Sequence, residues 1–421
     1  MPVVFPQRGK LAAASVFLVC SLVLGVSAPG SSATFLVSEG SVTVNQWGYV
    51  LQGPAGMLQQ VAPLAAADYH LLVMDFSQDG TESEKFSPAE INQIQNSDPT
   101  LGGDGHRKVV SAYVSIGEAS EFRSYWDAAW TENGSADSPL TAEAPDWLGP
   151  VNPFFPESRK VRFWDPDWQS TIFNTGGTGW LDQVVAQGFD AAYLDIIDAF
   201  YFWGEEVSPE QFKPGDPVGL QDSARRMVGF VVALTLHARQ ISPSFFVIPQ
   251  NGAFLMSDSD FGGSLPEDPA RRTAYLDAIG AIGIEDTYFV GDLAENNAFD
   301  PDLEKIDILK LDYVAVGIPI LVVDYVNEPA KIAQFYSEAL DDGFIPYAAP
   351  SRDLDILGAP VLVPEPDGTL LVGASLVPLL WLSRRRQRNQ FGSGVDWHGA
   401  PRSDPRATLL PKVVCSRRIP G

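Results

Sequence analysis

Eight short runs of apolar and β-branched residues punctuate the chain, at 48–51, 71–76, 109–116, 191–196, 245–249, 281–285, 318–323 and 344–348. Most are nearly continuous in apolar character rather than alternating, the pattern of strands buried on both faces of a parallel sheet. Between them lie stretches of helical periodicity, among them 222–240, 268–279 and 329–342; the last opens on Pro329 and stops before Gly343, as helix-end preferences require. Strand and helix alternating through eight units predict an α/β protein, a closed (β/α)8 TIM barrel rather than an open sheet. A ninth strand-like piece, 161–164, falls in a long insertion after the third strand, 118–189, and leads into a helix near Trp168.

The flanks read differently. Arg8 and Lys10 precede an apolar run over 11–26 and small-residue exits at Ser27-Ala28 and Ser31-Ser32-Ala33, the layout of a secretory signal peptide with cleavage after Ala28 or Ala33. Near the other end Val363-Pro364-Glu365-Pro366 precedes an apolar stretch over 369–383 and then Arg384-Arg385-Arg386-Gln387-Arg388. This three-part layout resembles the C-terminal sorting signal of bacterial PEP-CTERM proteins, which implies an exosortase-type processing enzyme as a partner. It also implies a membrane contact through the apolar segment before processing, with the arginines on the cytoplasmic side. The expected organisation is therefore a signal peptide over 1–33, a barrel over 34–358, a sorting signal over 359–388 and a disordered tail over 389–421. The expected location is outside a bacterial cell or on its envelope.

Between Thr34 and Val363, 49 acidic side chains face 17 basic ones, a net of −32 in a chain whose formal charge is −25. Such a surface repels nucleic acid and anionic lipid and attracts a polycation; acidic excess also serves solubility. Apolar content of 45% over 421 residues supplies a barrel-sized core and excludes a disordered chain. Cys20 and Cys415 both lie in the flanks, so the body offers neither a disulfide framework nor a zinc–thiolate site. His70, His106, His237 and His398 match no metal-ligand spacing, and neither metal nor cofactor is expected.

In a barrel the C-terminal strand ends share one rim. Polar groups follow all eight runs: Gln52, Asp75 with Ser77, Ser115 to Glu118, Asp195 with Asp198, Gln250-Asn251, Glu285-Asp286, Asp324-Tyr325 and Ser351-Arg352. A carboxylate at the end of a core strand costs several kcal/mol unless it is paired or open to a cleft, so its recurrence points to a site. There is no Gly-x-Ser-x-Gly elbow, phosphate-cradling glycine loop or His-Glu-x-x-His. Two carboxylates, one protonated and one ionised, suffice to hydrolyse a glycosidic bond. Trp47, Tyr113, Trp164, Trp168, Tyr201, Trp203 and Tyr288 offer ring faces for sugars, with cation–π attraction if the sugar carries an amine.

Several motifs in order resemble glycoside hydrolase family 114. They are Tyr113-Val114-Ser115-Ile116-Gly117-Glu118-Ala119 with Arg123 and Tyr125-Trp126, Phe163-Trp164-Asp165-Pro166-Asp167-Trp168, and Gly188-Phe189-Asp190 through Asp195-Ile196-Ile197-Asp198. Pro249-Gln250-Asn251-Gly252, Ile284-Glu285-Asp286 and Pro346-Tyr347 with Arg352 and Leu354-Asp355 follow. The resemblance implies a (β/α)8 barrel acting as an endo-α-1,4-polygalactosaminidase. It places the catalytic pair on Asp195 and Glu285. The strand-end position of Asp195 suits a nucleophile or base, which leaves Glu285 as the general acid, and Asp198, three residues on, is the alternative to Asp195. Asp75, Tyr113, Glu118, Trp164, Asp165, Asp198, Gln250, Asn251, Tyr288, Asp324 and Arg352 are the expected substrate contacts. The expected partner is a cationic polysaccharide, held by carboxylates in a partly desolvated cleft. A neutral α-galactoside polymer, or carbohydrate binding without catalysis, are the alternatives.

Overall fold

A computed structural model describes residues 31–361. The leader up to residue 30, the Pro-Glu-Pro signal with its apolar run, and the tail lie outside the described residues. Strands β1 (Ala33–Val37) and β2 (Gly40–Val44) form an antiparallel hairpin, followed by β3 (Trp47–Tyr49), β4 (Leu71–Met74) and β5 (Val109–Ser115). Next come β6 (Glu118–Ser120), β7 (Leu148–Val151) and β8 (Ser158–Val161), then β9 (Ala191–Asp195), β10 (Phe246–Pro249), β11 (Ile282–Glu285), β12 (Ile320–Asp324) and β13 (Ile345–Ala348). Each of the eight apolar runs is a strand. The three long helical patterns are helices at Gly219–Ile241, Pro269–Ala278 and Pro329–Asp341.

Parallel ladders run from β3 through β4, β5 and β9 to β10, and from β11 through β12 to β13. Parallel bridges Val247–Ile279 and Gln250–Gly283 join the two arcs. At the seam the Trp47 indole donates to the Ile345 carbonyl at 2.8 Å and the Leu51 amide to the Leu354 carbonyl at 2.8 Å. The eight parallel strands thus close in chain order as a (β/α)8 barrel.

Register decides what fills the barrel, because successive side chains point to opposite faces of a strand. Tyr113 is level with Tyr193, Ser115 with Asp195, Ile248 with Tyr193, and Glu285 and Tyr347 with Val323. These residues share the inner face. Below the mouth the interior is aromatic: the Tyr193 ring lies 5.1 Å from Tyr49 and 6.3 Å from Trp47, which lies 5.6 Å from Tyr347. Gly283 makes room for this column, since a β-carbon there would sit 2.2 Å from the Tyr193 hydroxyl oxygen. Asp195 stands one pleat above Tyr193 on the same strand.

The insertion after β5 departs from the sequence expectation. Its strand-like piece lies at Ser158–Val161 rather than 161–164, in an antiparallel sheet with β6 and β7. Arg159 and Lys160 disguise it as a loop, yet both are buried. Arg159 donates to the carbonyls of Ala136, Gly149 and Ser138, and Lys160 to Glu118. The expected helix beyond it is Pro166–Ile172, with the Trp168 indole donating to the Ile116 carbonyl. At the opposite end of the barrel Phe35 of β1 stacks on Phe246 at 5.1 Å, so the hairpin covers the floor. The hairpin starts at Ala33, inside the expected leader, and Val361 still accepts a hydrogen bond from Gln46. Among the described residues no helix is long and apolar enough to cross a membrane.

Candidate active site

Three adjacent strands end alike. Asp195 and Glu285 close β9 and β11, Gln250 immediately follows β10, and the residue after each has positive φ: Ile196 at 59°, Asn251 at 60° and Asp286 at 48°. A β-branched isoleucine in the left-handed region is a genuine outlier, and such strain concentrates at functional sites at about 1–3 kcal/mol per residue. The turns break the strands sharply at the mouth. Gly117 permits the first of them, because a β-carbon there would lie 2.3 Å from the Ile196 carbonyl oxygen. Gly117→Ala is therefore expected to displace the Ile196 backbone, costing about 1–3 kcal/mol and lowering kcat along with it. Thermal unfolding and initial rates check this; an alanine variant with unchanged kcat would refute it.

Asp195 and Glu285 line one cleft, about 1010 Å³ with solvent at its mouth included. The half-buried Asp195 accepts from the Tyr113 hydroxyl at 2.5 Å and from the Ile196 amide at 2.8 Å. Burial pushes its carboxyl up to about 7, against the pull of those two hydrogen bonds. Glu285, 6% exposed, accepts from the side-chain amides of Gln250 at 3.0 Å and Asn251 at 2.6 Å, and from the Tyr325 hydroxyl at 2.5 Å. Burial raises it as well, reinforced by the negative charges of Asp286 and Asp195. Burial holds both tyrosine phenols far above the neutral range, so they act as donors. The arrangement presents two carboxyls near neutrality at a shared opening, each oriented by its own hydrogen bonds.

Not all the expected contacts reach this opening. Asp75, Tyr113, Glu118 and Gln250 line it. Two of the acids are already neutralised: Asp75 by the Arg123 fork at 2.8 and 3.2 Å, and Glu118 by Lys160 at 2.5 Å with Asn152 on both oxygens. Both acids line the cleft while paired with internal cations. Asn251 and Arg352 stand behind the site. Asn251 orients Glu285, and Arg352 grips Asp286 at 2.7 and 2.8 Å, its guanidinium 3.9 Å from the Tyr325 ring centroid.

Five expected contacts are placed elsewhere. Asp324 follows Val323, which is level with Glu285, and so points to the outer face. It is wholly buried, and its carboxylate accepts the amides of Thr287, Tyr288 and Phe289. Tyr288 is buried against Phe335 and donates to Asp342. Asp165 caps the helix Pro166–Ile172, and Trp164 packs edge-on against Trp203 with Arg226 over its ring. Asp198 lies outside the cleft lining. Burial pushes it up to about 7, while Lys160 pulls it down. Tyr325 and Asp286 stand at strand ends but were not among the expected contacts, and neither was Tyr49. Inner-face parity would have found two of them, since Tyr325 lies two residues beyond Val323 and Tyr49 two beyond Trp47.

A closed barrel with two carboxyls facing one cleft at the strand ends has the layout of a glycoside hydrolase. The model of glycoside-hydrolase family GH114 matches residues 32–361, and the chain belongs to that family. An uncharacterized protein of Methanocaldococcus jannaschii is 32% identical over 321 residues, 74% of this chain and 77% of that protein. An uncharacterized protein of Thermotoga maritima is 28% identical over 335 residues, 77% and 87% of the two chains. Among solved structures, the glycoside hydrolase domain of PelA from Pseudomonas aeruginosa matches at 16% identity and a TM-score of 0.45, over 74% of this chain and 96% of that one.

Proposed function

We propose that the chain cuts an α-1,4-linked galactosaminan whose sugars carry free amines, with Asp195 and Glu285 as the catalytic pair. The observation that carries the assignment is their convergence on one cleft with both carboxyls raised toward neutrality. Glu285 is assigned as the acid, passing its proton to the departing glycosidic oxygen as the bond from the anomeric carbon breaks. Ionised Asp195 supports the anomeric carbon, either by bonding to it or by taking a proton from the attacking water. The anomer first released, read by NMR, distinguishes the two.

The acidic body supports a cationic polymer over a neutral one. Rates on the free-amine polymer should fall steeply as salt rises, and exceed those on a neutral α-galactan at low salt. Rates insensitive to salt would contradict that choice. Export through the leader and processing at Pro364-Glu365-Pro366 complete the proposal. Recovery of the full-length chain from the cytoplasm alone would contradict them.

The two roles predict pH signatures on different limbs of the rate profile. The rate profile should be a bell around pH 7, its acid limb set by the base and its alkaline limb by the acid. Tyr113→Phe removes a hydrogen bond that lowers the Asp195 pKa, so the acid limb should move up. Tyr325→Phe does the same to Glu285, so the alkaline limb should move up. If Tyr113→Phe moves the alkaline limb instead, the roles are reversed.

A further inference from the structure

The acids that line the cleft differ in what already holds them. Asp75 has Arg123, Glu118 has Lys160 and Asn152, and Asp79 accepts the Thr81 amide and hydroxyl. Asp195 and Glu285 have their tyrosines. Glu157 also lines the cleft, and none of the ion pairs among the described residues includes it. Burial raises its pKa, and the charged groups that act on it, Glu121 and Glu118, are both anionic and add to that effect.

The backbone at Glu157 is nevertheless firmly placed. It immediately precedes β8, its carbonyl accepts the Glu121 amide at 3.0 Å, and the Ser158 amide turns back to the Phe155 carbonyl at 2.8 Å. The neighbouring rung is locked by the Ser120 and Ser158 hydroxyls at 2.8 Å. The half-buried rings of Phe155 and Phe122 line the same cleft. An anion lacking an internal cation, at the start of the sheet's central strand and lining one cleft with two phenyl rings, is suited to a ligand that brings a positive charge and a ring-shaped apolar face.

Building on the reading of the cleft as a glycan-cleaving site, we propose that Glu157, Phe122 and Phe155 form a subsite for the ammonium of a 2-amino-2-deoxy sugar unit, setting a preference for free-amine over N-acetylated polymer. The ammonium donates to the carboxylate while the pyranose face rests on a ring; an acetamide at the same carbon carries no charge and forfeits the ion pair.

The test uses the full chain, an α-1,4-linked galactosamine oligosaccharide and its N-acetylated counterpart, with binding by calorimetry and cleavage by product analysis. Glu157→Gln should reduce the free-amine to N-acetyl affinity ratio about tenfold and flatten its salt dependence. Glu157→Asp should recover part of the ratio. A ratio within about twofold of the parent in Glu157→Gln, or no binding of the free-amine ligand by the parent chain, overturns the subsite. Binding without cleavage by the parent overturns the hydrolase reading while the affinity ratio still decides the role of Glu157.

Discussion

Asp195→Asn and Glu285→Gln are each expected to lower kcat by roughly 10³-fold or more while the chain stays folded. Each replaces one member of the pair with a group of the same shape that neither ionises nor donates a carboxyl proton. The stability effect has the opposite sign. The Asp195 pKa stands at about 7 in the folded chain against an ordinary 3.8, so its contribution is complete below the lower value and is lost as pH rises through the higher one. Above pH 7 the asparagine variant should therefore be the more stable protein, by on the order of 1–3 kcal/mol, since the carboxyl tip is partly open to the cleft. Initial rates together with denaturant unfolding at pH 5 and at pH 8 check both halves. An asparagine variant less stable than its parent at the higher pH would show that the carboxylate is satisfied in place.

Arg352 carries the second large effect, although it touches no substrate in this account. It is 5% exposed, forks onto Asp286, donates to the Ala294 carbonyl at 2.8 Å and covers the Tyr325 ring. Arg352→Met leaves Asp286 as a buried anion beside Glu285. Breaking one side of a buried pair costs about 3–5 kcal/mol, and the uncompensated charge should push Glu285 further up, shifting the alkaline limb of the rate profile higher. The double variant Arg352→Met with Asp286→Asn should recover most of the stability, because no charge is then stranded. Equilibrium unfolding of the three proteins tests this; a loss below about 1 kcal/mol in Arg352→Met would show that water reaches Asp286.

Much of the fold was legible because a parallel barrel buries its strands on both faces, leaving continuous apolar runs such as Ala191 to Leu194 that end abruptly in Asp195. The catalytic candidates were legible for the same reason, standing where the apolar pattern stops. The fate of the other acids was not. Asp75 finds its arginine 48 residues away and Glu118 its lysine 42 residues away, both supplied by the insertion or its approach. No local spacing announces such pairs. Arg159 and Lys160 obscured β8 because their charges are met by buried carbonyls and by Glu118, so a strand interior read as surface. Asp324 was misplaced through parity: its neighbour Val323 shares the inner face with Glu285, which turns Asp324 outward to anchor a loop. The left-handed turn at Ile196 has no sequence signature, since isoleucine is among the residues least suited to it.

Whether Asp195 and Glu285 together break a glycosidic bond in an amine-bearing polymer is decided by incubating the purified chain near pH 7 with deacetylated α-1,4-galactosaminan and measuring released oligomers by mass spectrometry, alongside Asp195→Asn and Glu285→Gln. The parent chain should release a ladder of short oligosaccharides, and neither variant should release any at matched time. Polymer left intact by the parent chain, or a ladder undiminished in either variant, would contradict that role for the pair.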